Sequence, residues 1–183
     1  MSRQSLYLMK EAQIPEDVPA LFEMMCADDQ FLFSTRLSFS SDASFQNWLL
    51  YQLKSGYRDI YMIYSHSNKL LGYVHSYDFS QEDATAHITV YIREGCRGIA
   101  GAFAGLWYAD YLFSSYHIRR IYADVYDYNL TSLQNCRSAG FEEEGVLKDY
   151  RYFNGTFHDL HCLVMTRESF YQRYGKMTEK WRE

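Results

Sequence analysis

A short run of small residues, Arg97-Gly98-Ile99-Ala100-Gly101-Ala102, lies between a strand-like and a helix-like segment. The segment before it, Thr85 to Ile92, alternates as a strand does, and Phe103 to Phe113 has helical character. A helix that starts here leaves several backbone N–H groups without intrahelical partners, and its dipole adds partial positive charge. Arg97 adds a full positive charge at the mouth of the turn. The run therefore predicts an anion site that suits a pyrophosphate.

Two familiar phosphate-binding motifs do not account for this run. A Walker loop requires a Lys-Ser or Lys-Thr pair after the glycines, and none follows here. A dinucleotide fingerprint requires two further glycines and an acidic residue at the end of the next strand, and these are absent. Small residues also occur at the start of helices simply because they allow close packing. The run by itself therefore leaves two alternatives, phosphate binding and packing.

The composition indicates one globular domain, residues 1–183, and disfavours nucleic acid and membranes as partners. Hydrophobic residues make up 48% of the chain and charged residues 22%, a balance that can form a single core. The net charge of -5 opposes binding to a polyanion. No apolar run is long enough to span a membrane.

The N-terminus and the cysteines predict a cytoplasmic protein without a metal site. The first twelve residues lack the apolar core of a signal peptide. The four cysteines form no CxxC pair, which predicts reduced thiols: Cys26, Cys96, Cys136 and Cys162. His158 and His161 have a spacing seen in metal sites, but on a strand their side chains would point to opposite faces.

Hydrophobic periodicity and turn residues predict the order β-α-α-β-β-β-α-β-α-β-β. The predicted strands are Ser5–Lys10, Tyr57–Tyr64, Leu70–Phe79, Ala84–Ile92, Arg119–Tyr126, Phe141–Phe153 and Phe157–Met165. The predicted helices run from Pro15 to Cys26, from Ser44 to Leu53, from Gly101 onward, from Asn129 to Ala139 and through a helical tail, residues 167–183, with a loop from Asp28 to Ser41. Asn154-Gly155 is a strong hairpin signal between the last two strands.

This order predicts an α/β (α+β) fold: one mixed, mostly antiparallel sheet of six or seven strands with helices on both faces. The three consecutive strands from Tyr57 to Ile92 form an antiparallel meander. The helix after Ile92 then leads to the strand at Arg119, which is a β-α-β crossover and implies one parallel pair.

Three motifs in this order resemble the GNAT superfamily of N-acetyltransferases, and most of all the branch that holds ribosomal-protein N-terminal acetyltransferases and spermidine acetyltransferases. The family's acyl-CoA loop, Arg/Gln-x-x-Gly-x-Gly/Ala, is similar to Arg97–Ala102, with Ala100 in place of the first family glycine. A later family element, Asn-x-x-Ser followed by Gly-Phe, is similar to Asn129-Leu130-Thr131-Ser132 and Gly140-Phe141. The closing hairpin of that branch resembles Glu144-Gly145-Val146-Leu147, Asn154-Gly155 and His158-Asp159.

The resemblance implies acetyl-CoA as cosubstrate and a site for each part of it. The turn Arg97, Gly98, Ile99, Ala100, Gly101 and Ala102 would hold the pyrophosphate. The pantetheine arm would pair with the backbone of Val90 and Ile92, where this strand and the Arg119–Tyr126 strand splay apart and expose unpaired groups. Asn129 and Ser132 would lie on the far side of the arm. The methyl group of Ala100 is compatible with this site if its φ is negative and strained if its φ is positive.

Transfer from a thioester to an amine needs a neutral amine, a donor to the oxyanion and a proton for the leaving thiolate. Backbone N–H groups near Val90 to Ile92 are candidate oxyanion donors. The resemblance points to Ser132 as the acid, or to Cys136, where many members carry a tyrosine. The simpler interpretations are a first-turn serine that bonds its own helix and a cysteine that fills an apolar gap.

The base is harder to identify from the sequence. His87 has a suitable pKa range as a residue type and shares the more polar face of its strand with Thr85 and Thr89, although a structural sheet histidine is the simpler interpretation. Three acids could act through water instead: Asp78, Glu82 and Asp83. Arg151 stands where the ribosomal branch has a glutamate, and could bind a negative group on the acceptor.

These features predict an acetyl-CoA-dependent N-acetyltransferase that acts by direct transfer on a primary amine, such as a protein N-terminus, a polyamine or a small metabolite. A catalytically weak acyl-CoA-binding or regulatory module on the same fold is the alternative. No metal is expected, and a homodimer is expected only by analogy with the branch.

Overall fold

A computed structural model describes residues 7–26, 39–55 and 59–182 as a seven-stranded sheet with helices. The strands are β1 (Tyr7–Glu11), β2 (Ile60–Ser65), β3 (Leu70–Ser80), β4 (Thr85–Ile92), β5 (Arg120–Tyr126), β6 (Glu142–Phe153) and β7 (Thr156–Thr166). The helices are α1 (Val18–Met25), α2 (Asp42–Lys54), α3 (Ile99–Ser115), α4 (Leu130–Ser138) and α5 (Arg167–Arg182). The sheet order is β1-β2-β3-β4-β5-β7-β6.

The predicted fold class is confirmed. Every neighbouring pair in the sheet is antiparallel except β4 and β5, which are parallel and are connected through α3. The last hairpin turns at Asn154 and Gly155, whose φ angles of 51° and 90° suit the mirror-image turn that this dipeptide favours. Parts of the predicted first strand (residues 5–6), loop (28–38), second strand (57–58) and helical tail (183) lie outside the residues that the structure describes.

The first helix begins later than predicted. Residues 13–17 close a turn first, because the Gln13 backbone N–H donates to the Asp17 carboxylate at 2.8 Å and the Asp17 N–H donates to the Gln13 carbonyl at 2.8 Å. Helix α1 then starts at Val18, so Pro19, and not Pro15, occupies its first turn, where proline is tolerated.

Each face of the sheet carries its own hydrophobic core, as the prediction of helices on both faces requires. On one face α3 packs against the middle of the sheet, and the fully buried side chains there include Tyr108, Leu112, Phe113, Ile121 and Leu163. On the other face α1 and α2 pack against β2 and β3 through Leu21, Met24, Phe45, Leu49 and Met62. No helix of the described residues is both long and apolar enough to cross a membrane.

Gly72 lies where two strands come very close. It pairs with Ile92 at the end of β4, and a Cβ at this position would lie 1.9 Å from the Tyr91 carbonyl oxygen. The obstacle is backbone, which cannot rotate away as a side chain can.

We therefore expect Gly72→Ala to lower the free energy of unfolding by about 3 kcal/mol, the upper range for overpacking. Gly145→Ala is the matched control, since a Cβ there has no heavy atom within 4 Å. It should be neutral or slightly stabilising. Denaturant unfolding of both variants measures the difference, and equal stabilities would show that the strands can separate at little cost.

Candidate functional site

The two parallel strands part soon after they meet. Their pairing runs from Thr85 opposite Arg120 to His87 opposite Tyr122. Strand β4 nevertheless continues to Ile92 and β5 continues to Tyr126. The predicted splay is therefore present, and it opens a gap in the middle of the sheet.

The backbone of Val90 and Ile92 faces this gap. The Arg93 N–H donates to the Leu71 carbonyl on the β3 side at 2.8 Å, whereas the Ala84 carbonyl accepts from the Arg119 N–H on the β5 side at 2.8 Å. Backbone groups of successive strand residues point alternately to the two neighbours. The even-numbered residues of β4 thus direct their N–H and C=O groups toward β5, which has moved away.

Helix α3 brings its N-terminus to the same end of the gap. Its glycines allow close contact with β4, since a Cβ at Gly101 would lie 3.2 Å from the Ile92 side chain and one at Gly105 would lie 3.5 Å from the Val90 side chain. The residue before the helix, Gly98, has a φ of 152° that other residues rarely adopt. The N–H groups of the first helical turn are therefore available for an anion beside the exposed Arg97.

Helix α3 begins two residues earlier than predicted, and this determines the backbone conformation and the location of Ala100. Helix α3 starts at Ile99, so Ala100 lies in the first turn with helical backbone and does not have a positive φ. Its side chain is 3% exposed and belongs to the core beneath the helix. The methyl group therefore neither strains the turn nor stands among the N–H groups.

Asn129 and Ser132 are joined by a helix cap at the end of β5. The Ser132 backbone N–H donates to the Asn129 side-chain oxygen at 3.3 Å, which begins α4. Cys136, one turn later, packs against the core under α3. Burial raises the pKa of the Cys136 thiol to about 11. The structure thus places Ser132 at the open end of the helix and Cys136 toward the protein interior.

His87 lies on the opposite face of the sheet from α3, at the last paired position of β4. Its ring stacks between Tyr77, at a centroid distance of 5.1 Å, and Tyr122, at 5.2 Å. Its Nε2 lies 3.6 Å from the Asp124 carboxylate on β5. Burial raises the pKa of the Asp124 carboxyl, and the nearby His87 partly offsets this effect.

Asp124 is a functional candidate that the sequence analysis did not include. Strand β5 alternates between buried apolar residues and partly exposed polar ones. Tyr122 and Asp124 therefore lie on its polar face. Applying to β5 the alternation argument used for His87 would have found it. The pairing of His87 with Tyr122 then places Asp124 one step into the gap.

Arg151 and the two histidines of β7 have other surroundings. The Arg151 guanidinium lies 4.0 Å from the centroid of the Tyr126 ring. His158 Nδ1 is 2.7 Å from the Asp127 carboxylate, whereas His161 Nδ1 is 2.7 Å from the Glu143 carboxylate. Within residues 7–26, 39–55 and 59–182, no three His, Cys, Asp or Glu side chains converge as metal ligands would.

The fold and the gap define a class of protein. The sequence matches the family model described as an acetyltransferase (GNAT) domain over residues 15–162. The chain therefore belongs to the GNAT family of acetyltransferases. A search of curated protein sequences found no match.

Solved structures of a spermidine N-acetyltransferase from Vibrio cholerae are similar to this chain. The complex of that enzyme with CoA and spermine has a TM-score of 0.82 at 16% identity, covering 91% of this chain and 99% of that chain. Its dodecameric structure in an intermediate state has a TM-score of 0.80 at 17% identity, covering 93% and 99%. At such low identity the similarity establishes the fold.

The buried methyl group of Ala100 leads to a prediction. We expect Ala100→Gly to destabilise the protein by more than the ~1 kcal/mol of helix propensity, because a buried methyl group is also lost. The apparent affinity for acetyl-CoA should not improve. Ala102→Gly is the stability control, since Ala102 is exposed in the same helical turn. Denaturant unfolding and a thermal-shift titration measure the two effects, and tighter binding by Ala100→Gly would show that the methyl group obstructs the site.

Proposed function

We propose that this protein is an acetyl-CoA-dependent N-acetyltransferase that transfers the acetyl group directly to a primary amine. The observation that carries the proposal is the gap between β4 and β5, where the backbone of Val90 and Ile92 faces the space beside the α3 N-terminus. The pantetheine amides can pair with this backbone as an added strand would. The complex of the similar Vibrio cholerae enzyme with CoA and spermine supports the proposal.

In the proposed binding mode, the pyrophosphate and the pantetheine arm of acetyl-CoA occupy different parts of the gap. The pyrophosphate lies against the N–H groups of the first turn of α3, between Gly98 and Ala102, with Arg97 beside it. The pantetheine arm then runs along β4 toward His87. Asn129 and Ser132 flank the arm from the β5 side, since α4 begins where β5 ends.

The proposed chemistry relies mainly on position. The neutral amine attacks the thioester carbonyl carbon, and backbone N–H groups near Val90 and Ile92 donate to the oxygen that becomes negative. The bond from carbon to sulfur breaks, and the electron pair leaves with the sulfur. No covalent acyl-enzyme forms. The attacking nitrogen loses one proton as it becomes an amide, and the departing thiolate takes up one proton.

Ser132 is the proposed source of that proton, and Cys136 is the alternative. Ser132 is partly exposed at the start of α4, whereas the Cys136 thiol packs against the core. The raised pKa of Cys136, about 11, keeps its proton in place at neutral pH but also makes it a weak acid.

We expect Ser132→Ala to lower kcat by about 10²-fold or more, the usual effect of losing a general acid. Cys136→Ala should keep kcat and lose stability, because a buried sulfur is removed. Steady-state kinetics by free-thiol release, with denaturant unfolding, measure both. Loss of turnover in Cys136→Ala alone, with the Ser132 variant fully active, would transfer the role to the cysteine.

Cosubstrate binding is tested by a thermal-shift titration with acetyl-CoA. At 100 times the Kd, binding stabilises a protein by about 2.7 kcal/mol, which for this size is roughly 5–10 °C in Tm. Arg97→Glu should abolish the rise. Lys69→Glu is the control, since it makes the same charge change at an exposed residue just before β3. An equal loss in both variants would indicate a general charge effect and contradict a site at Arg97.

Turnover distinguishes an enzyme from an acyl-CoA-binding module. Free-thiol release that depends on an added amine supports the enzyme. Stabilisation by acetyl-CoA without thiol release, across a panel of primary amines, would support the binding module instead. The absence of stabilisation would contradict both.

A further inference from the structure

A carboxylate and a histidine lie together on the sheet face opposite α3, at the point where β4 and β5 part. The Asp124 side chain is 19% exposed and the His87 side chain 24%, so both are partly shielded but reachable. The imidazole lies between the Tyr77 ring, which is tilted by 31° to it, and the Tyr122 ring, which stacks with it. Its Nδ1 is buried and has no hydrogen-bond partner among the residues that the structure describes. The ring is therefore positioned by aromatic contact, and its Nε2 faces Asp124.

The spacing of the pair suits a third nitrogen. His87 Nε2 and Asp124 Oδ2 are 3.6 Å apart, which is too far for a good hydrogen bond between them. A nitrogen about 2.9 Å from each atom can contact both at once. An ammonium group is the ligand with donors for both partners.

The surroundings of Asp124 favour a cation. Asp78 on β3 adds a second negative charge, and the Cys162 thiol on β7 donates to Asp124. Asp78 is exposed at a bulge in β3, where its φ is 46°. Burial raises the pKa of the Asp124 carboxyl, which means that its charge is poorly solvated in the free protein. An ammonium ion beside it would supply the missing compensation.

We propose that Asp124 holds the acceptor as its ammonium ion and that His87 takes the proton from it, so that the acceptor class is a primary alkylamine. This inference rests on the proposed function and adds the acceptor site to it. An alkylamine resembles lysine, with a pKa of about 10.4, and is therefore almost fully protonated at neutral pH. It cannot attack a thioester until it loses a proton. An amine that is already neutral has no need of His87.

The proton inventory balances. One proton passes from the ammonium nitrogen to His87 Nε2, and the imidazolium that forms is stabilised by the Asp124 carboxylate. The new carbon–nitrogen bond forms as the carbon–sulfur bond breaks, and the sulfur keeps the electron pair. The nitrogen loses its second proton, and the sulfur gains one, so this exchange releases no further proton. Ammonium ion and thioester thus become amide, thiol and one released proton, which leaves from His87.

Two amines of different basicity test the proposal. Butylamine is an ammonium ion at pH 7, whereas aniline is neutral. We expect His87→Gln to lower kcat/KM for butylamine by about 10²-fold or more and that for aniline only slightly. Raising the pH should restore butylamine turnover in this variant. Asp124→Asn should raise KM for butylamine about tenfold or more and leave KM for acetyl-CoA unchanged.

Two controls make the same chemical changes elsewhere. Asp149→Asn alters an exposed carboxylate on β6, and His66→Gln alters an exposed histidine in the turn after β2. Both should behave as wild type. Equal losses on butylamine and aniline would show that His87 only shapes the sheet, and an unchanged KM for butylamine in Asp124→Asn would overturn the ammonium site.

A binding measurement separates failure of this site from failure of the proposed function. Signals of the His87 ring, from protein labelled in its histidines, are followed by NMR during titration with butylammonium. Signals that shift in wild type and remain still in Asp124→Asn support the acceptor site. If wild type releases no thiol with any amine, the enzyme proposal fails and the titration alone decides the site. Signals that do not respond in wild type overturn it.

Discussion

The two parallel strands at the middle of the sheet pair at only three positions in the part of the chain that the structure describes, from Thr85 opposite Arg120 to His87 opposite Tyr122. Strand β5 pairs with β7 along its whole length from Arg120 to Tyr126, and β4 pairs with β3 as far as Ile92. Each strand thus follows its antiparallel neighbour, which is the slightly stronger partner per residue. The parallel pair ends at His87, and everything beyond it on both strands borders a gap. Within the described residues, the backbone groups along this gap have no β4–β5 partner, and the proposed chemistry derives from them.

The gap has two faces, one on each side of the sheet, and different groups border them. On the α3 face it meets a helix N-terminus, which lies close to β4 because Gly101 has no side chain to press against Ile92. On the other face it meets polar side chains, His87 and Asp124. In the proposed reaction, a long cosubstrate and a small acceptor therefore use different faces and do not compete for the same surface.

The fold was predictable from the sequence because its signals are local. Strand alternation, the cap at Asn129 and the turn at Asn154-Gly155 each depend on a few neighbouring residues, and the structure contains all of them. The surroundings of the Ala100 methyl group were not predictable, because the exact start of a helix is poorly encoded in the sequence and a shift of two residues places this methyl group in the core. The alternation of β5 predicts the polar face on which Asp124 lies, but the proximity of Asp124 to His87 depends on the register between β4 and β5, which is a tertiary property.

The charges on the two faces match the two substrates of the proposed reaction. Acetyl-CoA is a polyanion, and Arg97 with the α3 dipole lies on the side where its pyrophosphate would bind. An alkylammonium ion is a cation, and Asp124 lies on the other side, on the same strand face as Tyr122. If both charges stood on one face, each would attract the wrong substrate as well as the right one. Separation by the sheet removes this conflict, because a charge acts most strongly on ligands that share its surface. The short β4–β5 junction therefore creates the gap and also keeps the two electrostatic environments apart.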